Sequence, residues 1–225
     1  MNTEIPHWDF EKVKAETKDK WNTELSKIEV TTLQESEKET FYTALYHTNL
    51  SPILYEDVDG QYRGLDQNIH TSEGFTNYTI FSLWDTYRAL HPLFNITQPD
   101  RNNDMIKSML AHQQQSVHHM LPIWSHYANE NWCMIGYHAT SVIADAMVKD
   151  VGDFDIKTAL DASVATANVS YFDGLGDYIQ YHYVPDDKSH SSVSKTLEYA
   201  YNDWCIAQIA KKAGDSSAEE DDGSC

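Results

Sequence analysis

The amino-acid sequence predicts an all-α protein of about seven helices with one long, irregular, hairpin-bearing loop. Apolar residues recur at helical spacing in successive segments, which are separated by polar stretches, prolines and glycines. No alternating pattern is long enough for a substantial sheet, and no short repeat period indicates a solenoid. The length of 225 residues is compatible with one large domain or two small ones.

Two helices are predicted before Pro52. In residues 10–28 the apolar side chains are mostly three, four or seven positions apart, and Asp9 is the predicted N-cap. The second helix starts near Ser36, where a Ser-x-x-Glu pattern predicts a capping box, and it ends before the proline.

The periodicity changes in residues 52–79, which carry several glycines and an Asp59-Gly60 turn signal. These features predict an irregular excursion that contains a hairpin. The segment is longer than most connections between helices, and long ordered loops in compact domains tend to be functional.

Five further helices are expected, at residues 78–90, 102–119, 136–149, 155–168 and 194–213. The first of these is predicted to end at His91-Pro92, because the residue before a proline avoids the helical region. Asp155 is the predicted N-cap of the fourth, and Gly214 is the predicted stop of the last. Residues 215–225 carry five acidic and no basic side chains and are predicted to be a disordered tail.

The charge balance limits the partners. There are 16 Lys and Arg against 35 Asp and Glu, a formal net charge of −19, so no basic patch for nucleic acid is expected. Apolar stretches are shorter than a membrane span needs, and the N-terminus lacks the features of a signal peptide. The three cysteines are widely spaced and leave the compartment open.

Two segments combine aromatic and ionisable residues. In the first, Asp85 adjoins Trp84 and lies three positions before Arg88; the alternative is an ordinary helical ion pair between Asp85 and Arg88. In the second, Glu130 and His138 flank an aromatic-rich turn, and the alternative is a solvated glutamate and a buried histidine.

Other acids and histidines give weaker signals. Glu198 and Asp203 are five positions apart on one predicted helix, so they point in different directions and cannot form one catalytic pair. His112 and His119 share a helix face that His118 does not, and no His-Glu-x-x-His signature is present, so no zinc site is predicted. Aromatic residues make up 12% of the chain, and together with the acidic surface they favour a neutral polyol such as a sugar as ligand.

Five segments together resemble the bacterial alpha-mannosidases of glycoside hydrolase family 92. They include Phe-Ser-Leu-Trp-Asp-Thr-Tyr-Arg, Cys-Met-Ile-Gly-Tyr-His-Ala and Ser-Val-Ser-Lys-Thr-Leu-Glu-Tyr-Ala. The five matching segments occur in order at residues 41–47, 81–88, 133–139, 141–146 and 192–200.

This resemblance implies a β-sandwich followed by a helical (α/α)6 toroid, a bound calcium ion, and exo-acting hydrolysis of alpha-mannosides with inversion. It divides the chain into a linker-helix region at 1–35, a partial (α/α)6 catalytic domain at 36–214 and the acidic tail. The family's general acid lies in a Gly-Asn-Glu-Pro segment and its base in an Asp-rich segment, and neither is present in these 225 residues. The calcium ligands are expected mostly outside the chain too.

What the resemblance carries over is substrate binding. Asp85 looks like the residue that hydrogen-bonds hydroxyls of the terminal mannose, and Trp84 looks like part of the wall. Glu130, His138 and His47 are weaker candidates for the same pocket. No catalytic or metal-ligating residue is expected in this chain.

The expected function is therefore that of a piece of a calcium-dependent, inverting alpha-mannosidase of the alpha-1,2 type. Its partners would be an alpha-mannoside glycan and the remaining enzyme domains, with no turnover by the chain alone. One alternative is a non-catalytic helical protein that binds mannan or a protein partner, and another is a small hydrolase that uses Asp85 with Glu130. The family is often secreted or periplasmic, but no signal peptide indicates this here.

Overall fold

The computed structural model describes residues 3–214, and the chain divides into two compact units, Met1–Ser51 and Pro52–Cys225. The described part is mainly helical, as the sequence predicts, with nine helices and six short strands. None of the helices within residues 3–214 is long and apolar enough to cross a membrane. The predicted tail at 215–225 lies outside the described residues, and the domain boundary predicted after residue 35 stays a prediction.

The first unit contains helices α1 (Phe10–Leu25) and α2 (Glu35–Thr48), which pack against each other. The Asp9 side chain accepts a first-turn backbone N–H, which confirms the predicted N-cap. The rings of Trp21 and Tyr46 meet between the helices with centroids 4.6 Å apart. This unit is held by few contacts, because α1 buries no residue completely.

The capping box predicted at Ser36 is wrong. α2 begins at Glu35, so Ser36 is already inside the first turn and its carbonyl accepts the hydroxyl of Thr40. Gln34 is the N-cap residue and makes no side-chain capping bond. The helix start is instead supported by acidic residues in the first turn, which favour the positive end of the helix dipole.

The second unit opens with the predicted excursion, which contains two nested antiparallel ladders. The strands are β1 (Ile53–Leu54), β2 (Gln61–Arg63), β3 (Ile69–Thr71) and β4 (Tyr78–Thr79), with β1 paired to β4 and β2 paired to β3. The inner hairpin turns at residues 64–68, where Asp66 accepts the backbone N–H of Asn68. The Asp59-Gly60 turn is formed, but it precedes β2 and does not close the hairpin.

Residues 78–90 do not form the single helix that the sequence predicts. α3 (Leu83–Thr86) is one turn, and α4 (Leu90–Thr97) begins after a short break. Pro92 lies in the first turn of α4, where a proline sacrifices no intrahelical hydrogen bond. The proline therefore belongs to the start of a helix and does not end one.

The remaining elements are α5 (Pro99–Gln115), β5 (Ser125–His126), β6 (Asn129–Glu130), α6 (Ala139–Val148), α7 (Ile156–Ala167), α8 (Leu175–Tyr181) and α9 (Ser192–Ala213), with β5 and β6 paired. Asp155 caps α7 through the N–H of Thr158 at 2.7 Å, and Gly214 ends α9 at φ 75°, so both predictions are confirmed. The seven-residue helix α8 was not predicted, because two left-handed residues, Gly174 and His182, isolate it from longer periodic segments.

The core of the second unit forms where α9 packs against α6 and α7. Eight of the ten residues of α6 are buried, as its small, apolar sequence predicts. Ala139 and Ala146 on α6 and Tyr199 and Ile209 on α9 are inaccessible to solvent. This close packing determines which side chains at the start of α6 face α9.

Candidate functional site

Three elements of the second unit meet at a set of polar and aromatic side chains, here named the Glu198 cluster: Trp84, Tyr87, Arg88, His138 and Glu198. The indole N–H of Trp84 donates to Oε1 of Glu198 at 3.2 Å. Nε2 of His138 lies 2.8 Å from Oε2 of the same carboxylate. Glu198 on α9 thus connects α3 with the residue that precedes α6.

Arg88 covers the aromatic part of the cluster. Its guanidinium carbon lies 4.6 Å from the ring centroid of Trp84 and 4.9 Å from that of Tyr87, and its N–H groups donate to the Trp84 carbonyl. In the described part of the chain Arg88 makes no ion pair with Asp85, so that alternative is wrong. The Asp85 side chain is exposed beside the cluster and accepts a hydrogen bond from the Ser82 hydroxyl.

His138 is buried and neutral. Its ring stacks on Tyr87 with the centroids 4.0 Å apart and the planes nearly parallel at 4°. Burial, together with a smaller effect of the positive charge of Arg88, lowers the pKa of His138 to about 3. The imidazole is therefore uncharged at physiological pH and is suited to hydrogen bonding, not to ion pairing.

Neighbouring bonds determine which nitrogen of His138 carries the proton. The backbone N–H of Tyr137 donates to Oδ1 of Asn202 at 2.8 Å, which orients the amide so that Nδ2 donates to Nδ1 of His138 at 3.0 Å. Because Nδ1 accepts, the proton resides on Nε2, the atom that faces Glu198. The contact is close, but the ring N–H is not well directed along it.

Gly136 makes room for this arrangement. Its φ is 80°, in the left-handed region, and a Cβ at this position would lie 2.4 Å from Nε2 of His138 and 3.1 Å from Oδ1 of Asn202. Any side chain would displace the imidazole from Glu198. The glycine before Tyr-His is therefore required by both the backbone conformation and the space.

An exposed aromatic surface continues from the cluster along α9. The Tyr201 ring centroid lies 5.7 Å from that of Tyr87, and Trp204 stacks on Tyr201 at 6.2 Å and 19°. Tyr201 is 38% exposed and Trp204 is 50% exposed. Ring faces of this kind pack against the apolar faces of sugars.

Glu130 is engaged elsewhere. Its carboxylate oxygens accept the backbone N–H groups of Ile123, Trp124 and Trp132 at 2.8 to 3.0 Å, which ties together the β5–β6 hairpin. Burial raises the pKa of Glu130, although these N–H donors oppose the shift. Within the described residues, its hydrogen bonds go to this hairpin and not to the Glu198 cluster.

The other predicted site residue, His47, lies in the first unit. It is on the last turn of α2, with its ring centroid 5.8 Å from that of Tyr46. The structure thus brings Trp84, Asp85 and His138 together in one part of the second unit. Glu130 has a separate role there, and His47 belongs to the other unit.

Sequence reasoning did not select Glu198 as a site residue, although it predicted that Glu198 and Asp203 point in different directions. The structure confirms that divergence: Asp203 accepts the hydroxyls of Tyr137 and Tyr178. A local signal was present, because Glu198 and Asn202 are four positions apart and share a helix face. Tyr87 and Arg88 were part of the motif, but His138, which stacks on Tyr87, is distant in sequence.

The described residues do not form a metal site of their own. No group of three or more His, Cys, Asp or Glu side chains in residues 3–214 is placed to hold an ion, whereas calcium takes six to eight oxygen ligands. His112 packs edge-on against Phe81, and Nδ1 of His118 lies 2.9 Å from the Tyr171 hydroxyl. A calcium ion does not fit these residues alone.

The described part of the chain is mainly helical, and aromatic rings and carboxylates lie together on its surface. The sequence model described as the glycosyl hydrolase family 92 catalytic domain matches residues 1–222. The chain belongs to this family.

Solved structures agree with that assignment. A family 92 alpha-mannosidase from Bacteroides thetaiotaomicron in complex with mannoimidazole is 54% identical, with a TM-score of 0.94 over 97% of this chain and 29% of that one. A family 92 inverting mannosidase from the same organism is 29% identical, with a TM-score of 0.90 over 99% of this chain and 31% of that one. These similarities confirm the predicted fold class, part of a helical toroid.

A curated relative extends the comparison to a fungus. An uncharacterized secreted glycosidase of Arthroderma benhamiae is 27% identical over 231 residues, which cover 94% of this chain and 25% of that protein. The chain thus spans between a quarter and a third of the length of these relatives.

Proposed function

We propose that this chain provides part of the mannose-binding wall of an exo-acting, calcium-dependent, inverting alpha-mannosidase of the alpha-1,2 type. Asp85 binds hydroxyls of the terminal mannose, and Trp84 forms the adjacent wall. The observation that carries the proposal is the exposed Asp85 carboxylate next to an indole that Glu198 holds in place. The mannosidases that share this fold and 29 to 54% of the sequence support mannose as the sugar.

The reacting carboxyl groups are proposed to lie outside these 225 residues. Inversion requires a general acid and a general base about 6.5 to 9.5 Å apart, which leaves room for a water that the base activates on the face of the sugar opposite the acid. The chain contains no Gly-Asn-Glu-Pro segment, where the resemblance places the acid. Glu130 is a poor substitute for either group, because backbone N–H groups already occupy its oxygens.

In this proposal each described residue has a limited role. The carboxylate of Asp85 accepts hydrogen bonds from sugar hydroxyls, and charged acceptors of this kind give stronger bonds than neutral ones. Trp84, Tyr201 and Trp204 offer ring faces that exclude water from one side of the sugar. Calcium, when bound, would polarise and orient sugar hydroxyls, with ligands mostly supplied by other parts of the protein.

Calorimetric titration of the 225-residue chain with methyl alpha-mannoside and alpha-1,2-mannobiose tests the binding function. We expect a saturable heat that Asp85→Ala abolishes, because the main charged acceptor is lost. Asp161→Ala is the matched control, since Asp161 is an exposed helical acid that pairs with Lys157 on α7. Absence of any saturable heat in the wild-type chain would refute mannoside binding by these residues.

Product analysis separates the catalytic alternatives. We expect no release of mannose from alpha-1,2-mannobiose by the chain alone. Release that Asp85→Ala and Glu130→Gln both abolish would refute the placement of the acid and base elsewhere and would favour the small hydrolase. Binding without turnover, even after the relatives' other domains are added, would favour the non-catalytic mannan-binding or partner-binding alternative.

A further inference from the structure

We propose that Glu198 is a positioning residue of the mannose site, because it holds the Trp84 indole and thereby sets the direction of the adjacent Asp85. Both oxygens of the carboxylate face ring nitrogens, one from Trp84 and one from His138. The inference rests on the proposed function, since it assigns to Glu198 a role in the same site. It is distinct from sugar binding, because Glu198 acts through the indole.

α3 needs such an external support. The helix has only four residues, and a single turn is too short to be stable without tertiary contacts. Leu83 is buried and anchors one side of the turn, whereas Trp84 and Asp85 lie on its more exposed part. The hydrogen bond to Glu198 reaches across 114 positions of the chain and connects the turn to the 22-residue helix α9.

The hydrogen-bond inventory explains why a carboxylate occupies this position. The indole nitrogen of Trp84 is only a donor. Asn202 donates to Nδ1 of His138, so the Nε2 of His138 is a donor as well. Two protonated ring nitrogens therefore lie against residue 198: Trp84 donates to one carboxylate oxygen, and Nε2 of His138 lies 2.8 Å from the other without a well-directed hydrogen bond.

Glutamine is the sharpest replacement because it keeps the size of glutamate but has one oxygen. If its oxygen accepts from Trp84, its NH2 group faces the N–H of His138, and the reverse orientation leaves the indole facing a donor. The His138 proton is held on Nε2, because Asn202 donates to Nδ1 and is itself oriented by the Tyr137 N–H. Glu198→Gln should therefore weaken or break the bond to the indole, because a neutral amide oxygen is a weaker acceptor than a carboxylate even where it still faces Trp84.

Nuclear magnetic resonance of the indole N–H groups tests the positioning directly. The chain has six tryptophans, and Trp84→Phe assigns the Trp84 resonance. In the wild-type chain we expect the Trp84 indole proton to exchange with solvent more slowly than that of Trp204, which is 50% exposed. In Glu198→Gln we expect the Trp84 resonance to shift and its exchange to accelerate about tenfold or more, as befits loss of a hydrogen bond to a charged group.

Sugar affinity provides the functional readout. The Kd for methyl alpha-mannoside should rise about tenfold in Glu198→Gln, the size expected for a charge-assisted bond that orients the wall. The same substitution added to Trp84→Phe should have little further effect, because the indole donor is already gone. Asp161→Asn, the same acid-to-amide change at an exposed ion pair on α7, should alter neither measurement.

The outcomes separate the inference from the proposed function. An unchanged Trp84 resonance in Glu198→Gln, or unchanged affinity in a folded variant, overturns the positioning role. If the variant does not fold, the wild-type exchange rates decide, and a Trp84 proton that exchanges as fast as that of Trp204 overturns it. If the wild-type chain binds no mannoside, the proposed function fails, while the indole measurements still support or overturn the role of Glu198.

Discussion

Three histidines of the second unit are buried in the neutral form, and together they are expected to lower its free energy of unfolding by about 6 kcal/mol on acidification from pH 7 to pH 5. Glu130, whose pKa burial raises, opposes part of this loss. Burial lowers the pKa of His91 and of His112 to about 4 and that of His138 to about 3, from an ordinary value of 6.5. None of these three side chains is more than 2% exposed. The folded state therefore resists protonation that the unfolded chain accepts.

The unfolded chain binds more protons than the folded chain, and this difference sets the sign of the pH dependence of the free energy of unfolding. Below pH 6.5 each unfolded histidine binds a proton that its folded counterpart does not bind, so the free energy of unfolding falls as the pH falls. At pH 5 the pH is about 1.5 units below the pKa of an unfolded histidine. This difference corresponds to a loss of about 2 kcal/mol in the free energy of unfolding for each of the three histidines. The loss continues until the pH reaches the folded values, near 4 and 3.

Urea unfolding followed by circular dichroism at pH 7 and pH 5 measures the effect. His112→Leu should reduce the pH dependence by about 2 kcal/mol, because an uncharged side chain replaces one of the three histidines. His190→Leu, at an exposed position, is the matched control and should leave the pH dependence unchanged. A total loss below about 2 kcal/mol, or an undiminished pH dependence in His112→Leu, would refute the reasoning.

Two further predictions concern single positions. Gly136→Ala should lower the free energy of unfolding, measured by urea unfolding, by about 2 to 4 kcal/mol, because the new Cβ contacts His138 and alanine disfavours a φ of 80°. A loss below about 1 kcal/mol would contradict the close contact between this Cβ and His138. Asp173→Asn should lower the free energy of unfolding by about 3 kcal/mol or more, because it leaves the fully buried ammonium of Lys195 without its counter-charge. Lys195→Met should lower it by less, because no buried charge remains unpaired. If thermal unfolding shows Lys195→Met to be the less stable of the two variants, packing and not charge dominates at this ion pair.

Several elements were predictable because their signals are local. Asp9 and Asp155 cap helices through backbone N–H groups three positions away, and Gly214 ends α9 through its own left-handed conformation. The glycine-rich excursion was recognisable for the same reason. Such interactions depend on a few consecutive residues, so their sequence pattern is enough to indicate them.

The segment around Pro92 shows where local rules fail. A proline usually ends a helix, but here it lies in the first turn of α4, next to the fully buried His91. The burial of His91 and its bond to Asn102 on α5 fix the position of the turn. Packing against a neighbouring helix therefore decided the helix boundary that the sequence pattern misplaced.

Some features of the candidate site are likewise local in sequence, and others arise only from tertiary packing. The sequence by itself determined the all-α class, the acidic surface and the Trp84-Asp85 pair, because composition, periodicity and short motifs are properties of neighbouring residues. Only the tertiary structure showed that Glu198 holds Trp84, which lies 114 positions earlier in the chain. Hydrogen bonds between residues more than a hundred positions apart exist only once the helices have packed, so no local pattern encodes them.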